Sequence, residues 1–458
     1  MKSRMRENRT SGSVRGSRQA FHVRKYSERS VETVYSTEID MEKLYYREKY
    51  LKKLRGFYDD VDMIKVITGV RRCGKSTLME MVCGELLEKG IDPQNIIYIH
   101  LDRRPYKSIK TSDKLEEVID AKAVGLNGVK YLFIDEIQNV DGFEEVVNAY
   151  REEREYSIFL TGSNSYLLSG ELATKLTGRY IEIEMRTLTF DEYLGMKQYF
   201  DKPVDPDMEK EFLRYIVEGG FPLAVKYDSY EDKMLYINSV IDEIFEKDIK
   251  KKNKIRKKKL FQKVQTYIIN NFGATTSVKS ICDYLTEHGD SITPVTVYNY
   301  LNILEKAKIV SKCERFDMKS KRSLNGEEKY YLSDLSFYFS RNTDGRINYG
   351  PVLENLVYNY LRSKDYKVSV GKIGALEVDF ITRKGIDEYA YIQVARTIDN
   401  DNYDESGKNI TEEREYRPLE RIADGYPKYL ITMDKLLQKR SGVKHLNIVE
   451  VLLDGLEL

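Results

Sequence analysis

The sequence is poor in the residues that build redox, metal-binding and membrane architectures. It has four cysteines, Cys73, Cys83, Cys282 and Cys313, with no C-x-x-C pair and no spacing that suggests a disulfide framework. Four histidines do not make up the shortfall in zinc ligands. Reduced thiols in a cytoplasmic protein are the expectation. No apolar run approaches the roughly 20 residues of a membrane span, and the longest are short pieces such as Tyr131–Ile134. The basic N-terminus lacks the apolar segment of a signal peptide, so the reading is a soluble protein without membrane contact. Net charge is nearly absent as well: 75 Lys+Arg against 74 Asp+Glu gives +1, which excludes a uniformly basic nucleic-acid binder.

What is present is uneven charge on a long chain. Its 458 residues exceed one ordinary domain and predict about two to four. The first thirty residues carry nine basic and two acidic side chains, or +7, and Lys247–Lys259 carries nine and one, or +8. Removing both from the total of +1 leaves −14 on the rest, so a polyanion is to be sought at these two segments. Residues 1–40 are Arg- and Ser-rich with few large apolar positions and are expected to be a disordered basic tail. An amphipathic helix is expected from Met41, where the folded protein would begin.

From Met63 onward short apolar strands alternate with helical stretches. Met63–Thr68, Ile96–Ile99, Val129–Ile134 and Ile158–Leu160 read as strands and Thr77–Leu87 as a helix, which predicts a parallel sheet covered on both faces. Residues 190–250 read as helical, interrupted at Glu218-Gly-Gly-Phe-Pro222. Helices near Leu260–Asn271, Ser277–His288 and Thr293–Lys306 precede strands at Ile309–Phe316 and Lys329–Leu332, joined by a polar loop at Asp317–Glu328. That outline predicts a winged helix-turn-helix, with Val297, Leu301 and Leu304 on the inner face of its third helix and Thr296, Asn299 and Asn302 on a polar edge. A helix at Pro351–Lys364, strands at Lys367–Val370, Leu376–Thr382, Ala390–Val394 and Tyr429–Thr432, and a further helix before the last of them make a third α/β unit.

Two segments carry chemistry. Gly69-Val70-Arg71-Arg72-Cys73-Gly74-Lys75-Ser76, followed by Thr77, matches G-x-x-x-x-G-K-[ST] between a strand and a helix. Glycines let backbone amides wrap phosphate oxygens, and the helix N-terminus adds partial positive charge. Lys75 reaches the β- and γ-phosphates of a nucleotide, and the Ser76 hydroxyl takes one Mg²⁺ position. An apolar strand then ends in Asp135-Glu136, where Asp135 holds the Mg²⁺ shell and Glu136 polarises the attacking water. These residues call for Mg²⁺ and a nucleotide, ATP or GTP.

These motifs, with Ile134-Asp-Glu-Ile-Gln138, Thr161-Gly-Ser-Asn-Ser165, Glu171–Tyr180, Phe190-Asp-Glu-Tyr193, Glu218–Pro222, Lys329–Asp334, Glu354-Asn355, Val378-Asp-Phe380 and Pro427-Lys-Tyr429, carry a wider likeness. From about residue 41 to its end the chain resembles the prokaryotic AAA-type P-loop ATPases whose ATPase module bears a C-terminal domain of unknown function. Thr187 stands where that family usually has proline. The resemblance implies an AAA ATPase domain at 41–189, a helical lid and basic linker at 190–258, a winged helix at 259–345 and a restriction-endonuclease-like α/β domain at 346–458. It implies Asn164 or Ser163 as the polar sensor near the γ-phosphate. Arg179 is either an arginine finger acting from a neighbouring subunit of a homo-oligomer or a surface residue paired with Glu182 or Glu184. Arg71 and Arg72 contact nucleotide or a partner domain, or are merely solvated. In the nuclease-like unit Glu354 and Asp379 take the first two metal positions, but Gln393 and Ala395 replace the second carboxylate and the lysine, so the site is degenerate, with Glu377 on the Asp379 face as a partial substitute. Three functions stay open: an ATPase coupling nucleotide state to DNA or protein engagement through the winged helix and Lys247–Lys259, an ATP-regulated nuclease, and a nucleotide-dependent protein-binding adaptor.

Overall fold

A computed structural model of the chain describes residues 44–162, 176–250, 255, 257–342, 345–386, 388–399, 402–405 and 407–456. The basic tail expected at 1–40 lies outside them. Two sheets organise the rest. The first contains β1 (Ile64–Gly69), β2 (Ile96–His100), β3 (Lys130–Asp135), β4 (Tyr156–Thr161) and β5 (Tyr180–Met185), all parallel, in the order β2-β3-β4-β1-β5. Alternation puts Ile64, Val66, Leu132, Ile134, Ile158 and Leu160 into one core, beneath the helices Ser112–Ala123 and Phe143–Glu152. Ile67, Phe133 and Phe159 face the other core, beneath the helix Lys75–Glu88. Both faces being covered, these strands read as near-continuous apolar runs. This is the doubly covered parallel sheet of a P-loop nucleotide hydrolase.

The expected helix from Met41 begins later. Residues 44–47 have no regular structure, and the helix runs Glu48–Leu54. Arg47, immediately before it, is buried. Its guanidinium donates to the carbonyls of Cys73 (3.1 Å), Arg186 (2.8 Å) and Thr187 (3.2 Å) and to both carboxylate oxygens of Glu192 (3.0 and 2.7 Å). Glu192 is also the third residue of the helix Phe190–Tyr199, which starts with a capping box on Thr189.

Helices Met208–Glu218 and Tyr230–Glu243 follow, and the second runs on as a π-helix over Ile244–Lys250, where the sequence reads as uninterrupted α-helix. Gly219 and Gly220 stop the first of them against the C-terminal half. Gly219 has φ 76°, and a Cβ there would sit 2.0 Å from a carboxylate oxygen of Asp334. Asp334, wholly buried, accepts from the amides of Gly220 (2.9 Å) and Ser336 (3.0 Å). The Thr187 hydroxyl donates to the Ser333 carbonyl at 3.2 Å, a bond that proline could not make.

The second sheet has nine strands. They are β6 (Thr275–Thr276), β7 (Val310–Asp317), β8 (Arg322–Leu332), β9 (Lys367–Ile373), β10 (Leu376–Lys384), β11 (Glu388–Val394), β12 (Lys428–Thr432), β13 (Lys439–Arg440) and β14 (Val443–Asn447). The order is β13-β14-β12-β11-β10-β9-β7-β8-β6. Helices Lys258–Asn270, Val278–Glu287 and Pro294–Lys306 precede the β7–β8 hairpin, and Val297, Leu301 and Leu304 are buried as expected. Two readings are corrected. The segment expected as a loop at Asp317–Glu328 is largely strand, because Arg322 pairs with Asp317 and the turn shrinks to four residues. The hairpin and the third α/β unit are one sheet, since β7 pairs in parallel with β9, Arg315 opposite Val370.

One apolar core runs from Tyr50 and Leu78 through Phe221, Phe261 and Leu301 to Leu356 and Leu452, so the sheets share a hydrophobic interior. Charges reinforce the junction. Burial alone would raise the Glu184 carboxyl on β5, but Arg186, Lys308 and Arg362 outweigh it and hold the group at about 2. A carboxyl held below its ordinary 4.5 adds stability above that pH and loses it as pH falls toward 2. Glu184→Gln is therefore expected to cost about 2 kcal/mol at pH 7. Denaturant titrations should show its deficit against wild type narrowing once the pH drops below 4.5.

Candidate nucleotide site

The site lies at the carboxyl end of the first sheet, where β1 and β3 deliver their motifs with β4 between them. The loop after β1 needs left-handed backbone at Gly69 (φ 146°), Arg72 (φ 68°) and Gly74 (φ 104°). A Cβ on Gly69 would stand 2.1 Å from the Met185 carbonyl oxygen, so glycine is obligatory where the loop leaves the strand. Gly74 is the N-cap of the helix Lys75–Glu88, whose first amides are free for an anion. Lys75 is buried and folds over the loop, its ammonium 3.2 Å from the carbonyls of Gly69 and Val70. Ser76 and Thr77, half-buried, follow in the helix's first turn. Cys73, like Val70, is a loop side chain buried in the apolar core. It points into the core with its thiol 3.4 Å from the Met185 carbonyl, and burial pushes its pKa up.

Asp135 ends β3, wholly buried. One carboxylate oxygen accepts from the Thr161 hydroxyl at the end of β4; the other accepts no hydrogen bond, though His100 Nε2 stands 3.0 Å away. A buried carboxylate at the edge of a phosphate loop suits a Mg²⁺ shell, and Ser76 and Asp135 are the residues that could hold such an ion. Glu136 follows in left-handed conformation, φ 59°, uncommon for a side-chain-bearing residue. Its amide donates to Thr161 Oγ1 at 3.0 Å, and its carboxylate accepts from Gln138 and lies 3.9 Å from Arg71 Nη2.

Arg71 and Arg72, expected at nucleotide, a partner domain or solvent, both turn to the lid. Arg71 is buried and makes a two-pronged pair with Asp248 of the π-helix (2.8 and 2.9 Å), with Glu243 at 3.7 Å. Arg72 donates to Glu243 at 3.1 Å. Arg179 pairs with neither acid expected for it. It donates to Asn148 (2.9 Å) with Glu152 at 3.7 Å, while Glu182 accepts from Thr68 and Glu184 from Lys308. It precedes β5 at the end where Tyr180 pairs with Ile64, whereas Gly69 pairs with Met185. Arg179 lies six residues of strand, about 20 Å, from the level of its own phosphate loop. Asn164 and Ser163 lie outside the described residues.

Thr161, His100, Gln138 and Asp248 were given no role by sequence reading. The first three carried a usable signal, since each falls at the end of a strand neighbouring β3 or in the motif after Glu136. Asp248 had none, as 177 residues separate it from Arg71.

In the second sheet the expected metal residues do converge, but around a cation from the chain itself. Glu354, Glu377 and Asp379 face Lys329 Nζ at 2.9, 3.0 and 3.8 Å. Among the described residues no group of His, Cys, Asp and Glu is arranged to hold a metal ion. In the basic run, Lys247 pairs with Glu243 at 2.6 Å, Lys250 with Glu246 at 2.7 Å and Lys258 with Glu246 at 3.6 Å, while Lys257 and Lys259 are exposed. No helix among the described residues is long and apolar enough to cross a membrane.

Two family models match the chain, one after the other. A family model described as an AAA domain matches residues 61–194, and one described as Domain of unknown function (DUF8612) matches residues 209–342. An uncharacterized protein of Haemophilus influenzae is 34% identical over 413 residues, spanning 89% of this chain and 98% of that one. An uncharacterized protein of Methanocaldococcus jannaschii is 32% identical over 308 residues, 66% of this chain and 67% of the relative. Among solved structures, a Walker-type ATPase of Pyrococcus abyssi is similar at TM-score 0.46 and 16% identity, covering 65% of this chain and 95% of that one. The match to the Haemophilus protein runs through the AAA module and on into the second sheet, and the chain belongs with it to the family of AAA-type P-loop ATPases that bear a C-terminal domain of unknown function.

Proposed function

We propose that the protein is a Mg²⁺-dependent ATPase that passes its nucleotide state to its C-terminal half, which engages DNA. The observation that carries this reading is the position of Arg71, between Glu136 at 3.9 Å and the bidentate Asp248 at 2.8 Å. A change of charge at the phosphate loop alters what Arg71 pairs with, and Asp248 heads directly into Lys250 and the basic run.

In this reading the loop Gly69–Thr77 cradles the phosphates with its amides, Lys75 places positive charge on the β- and γ-oxygens, and Ser76 and Asp135 hold the metal. The ion supplies charge neutralisation of the transferred phosphoryl group. Glu136 orients and polarises the attacking water, and Arg71 and Gln138 set its carboxylate. Asn164 serves as sensor. Arg179 is too far from its own phosphate loop to act there, which leaves a neighbouring copy's nucleotide in a homo-oligomer as the place where it would serve as an arginine finger. Three helices with a short strand and a hairpin, in the order helix-β6-helix-helix-β7-β8, support a winged helix. Exposed Val295, Tyr298 and Asn299 on the third helix and exposed Lys319, Lys321 and Arg322 around the hairpin tip, together with Lys257 and Lys259, support a nucleic-acid partner over a protein one.

Steady-state ATP hydrolysis with and without duplex DNA tests the proposal. Lys75→Ala should lose nucleotide binding, and Glu136→Gln should bind nucleotide while hydrolysing it at least about 100-fold more slowly. Duplex DNA should raise the wild-type rate. Hydrolysis indifferent to DNA, with no nucleotide-dependent mobility shift, would replace this reading with the protein-binding adaptor.

Asp248→Asn should keep nucleotide binding and lose the DNA response, because Arg71 then has no charged anchor in the lid. In mobility shifts, neutralising Lys250–Lys252 and Lys257–Lys259 should weaken binding and flatten its salt dependence.

A further inference from the structure

The acids Glu354 and Asp379 stand where a nuclease-like sheet would hold a divalent cation, yet the space between them is filled. Lys329 comes from β8 of the preceding hairpin, with its side chain only 6% exposed. Its ammonium lies 2.9 Å from Glu354 Oε2, 3.0 Å from Glu377 Oε1 and 3.8 Å from Asp379 Oδ1. Other groups of the chain donate to the same acids. Tyr331 donates at 3.1 Å to the Glu354 oxygen that Lys329 also meets, Arg315 donates to Glu377, and the Val394 amide donates to Asp379 Oδ2 at 2.8 Å. Gln393 cannot turn toward the acids, because its Oε1 accepts from the Asp379 amide at 3.3 Å and its Nε2 donates to the buried Glu415 at 2.9 Å. The register of β10 shifts between Val378 and Ile381, and this irregularity at Asp379 aims its carboxylate at the cluster.

We infer that Lys329 is the resident cation of this cluster, so that the native C-terminal sheet takes no divalent metal there.

Three observations carry the inference. The first is distance: ammonium–carboxylate contacts of about 2.8–3.0 Å suit a hydrogen-bonded lysine, whereas a metal needs oxygens at about 2.0–2.6 Å with the lysine gone. The second is that Lys329 has no way out. Its backbone is paired with Cys313 of β7 on one side and Thr275 of β6 on the other, so the side chain stays where the strand puts it. The third is charge. Lys329 and Arg315 bring two positive charges to three acids, so the chain itself supplies most of the charge that a divalent cation would.

The inference does not depend on the ATPase reading and is tested on the full chain without nucleotide, using Mn²⁺ counted by its free-ion electron paramagnetic resonance signal. Lys329→Met should bind one more Mn²⁺ than wild type, and Lys329→Met with Asp379→Asn should bind the wild-type number. In the wild-type background Asp379→Asn should leave the Mn²⁺ count unchanged, which tests the inference even where Lys329→Met does not fold. A wild-type count that falls by one on Asp379→Asn, or a folded Lys329→Met that gains no Mn²⁺, overturns it.

Discussion

A single buried guanidinium holds the nucleotide site to the rest of the molecule. Arg47 spends its hydrogen-bonding capacity on the phosphate loop at Cys73, on the exit of β5 at Arg186 and Thr187, and on Glu192 in the first turn of the lid. A fully buried arginine is tolerable only when its donors are matched, and here the match fixes three segments at once. Glu192 answers in kind: burial works against its charge, but Arg47 and Lys49 hold its carboxyl far below the ordinary range. The loop that must face phosphate thus rests on a lid whose first helix shares its anchor.

The same device recurs at the other junctions. Arg71 with Asp248 ties the loop to the far end of the lid, Glu184 with Lys308 and Arg362 ties β5 to the helices beyond, and Lys329 ties the hairpin to the helix Tyr349–Ser363. Buried ion pairs add little net stability when compared with a well-packed apolar substitute, but they punish every wrong alignment, because a separated partner is left charged in a low-dielectric interior. The apolar core supplies the adhesion and the charges set the register between units.

Legibility in the sequence followed locality. The phosphate loop and the Asp135–Glu136 strand end were readable because their chemistry is packed into eight and six consecutive residues, flanked by apolar strands. β5 escaped because Tyr180–Met185 alternates apolar residues with two glutamates, one of them bound by Lys308. The outer half of β8 read as loop because Arg322–Glu328 has Leu324 as its one large apolar residue and a glycine at Gly326, with no apolar alternation to mark a strand. Arg71 and Lys329 are the instructive cases. Their residue types were visible, but their partners stand 177 and 25 residues away, and only the assembled fold says that one faces a lid acid and the other an acid cluster. The glycines of Glu218–Pro222 and the Asp of Lys329–Asp334 were noticed as motifs without a reason; the reason is that they touch each other.

The parallel pairing of β7 with β9 has a mechanical meaning. The β7–β8 hairpin lies between β9 and β6 near one end of the nine-stranded sheet, and its backbone pairing with β9 keeps it from pivoting by itself. The three-helix unit and the distal sheet therefore share one hydrogen-bonded backbone, and a displacement of either carries the other with it.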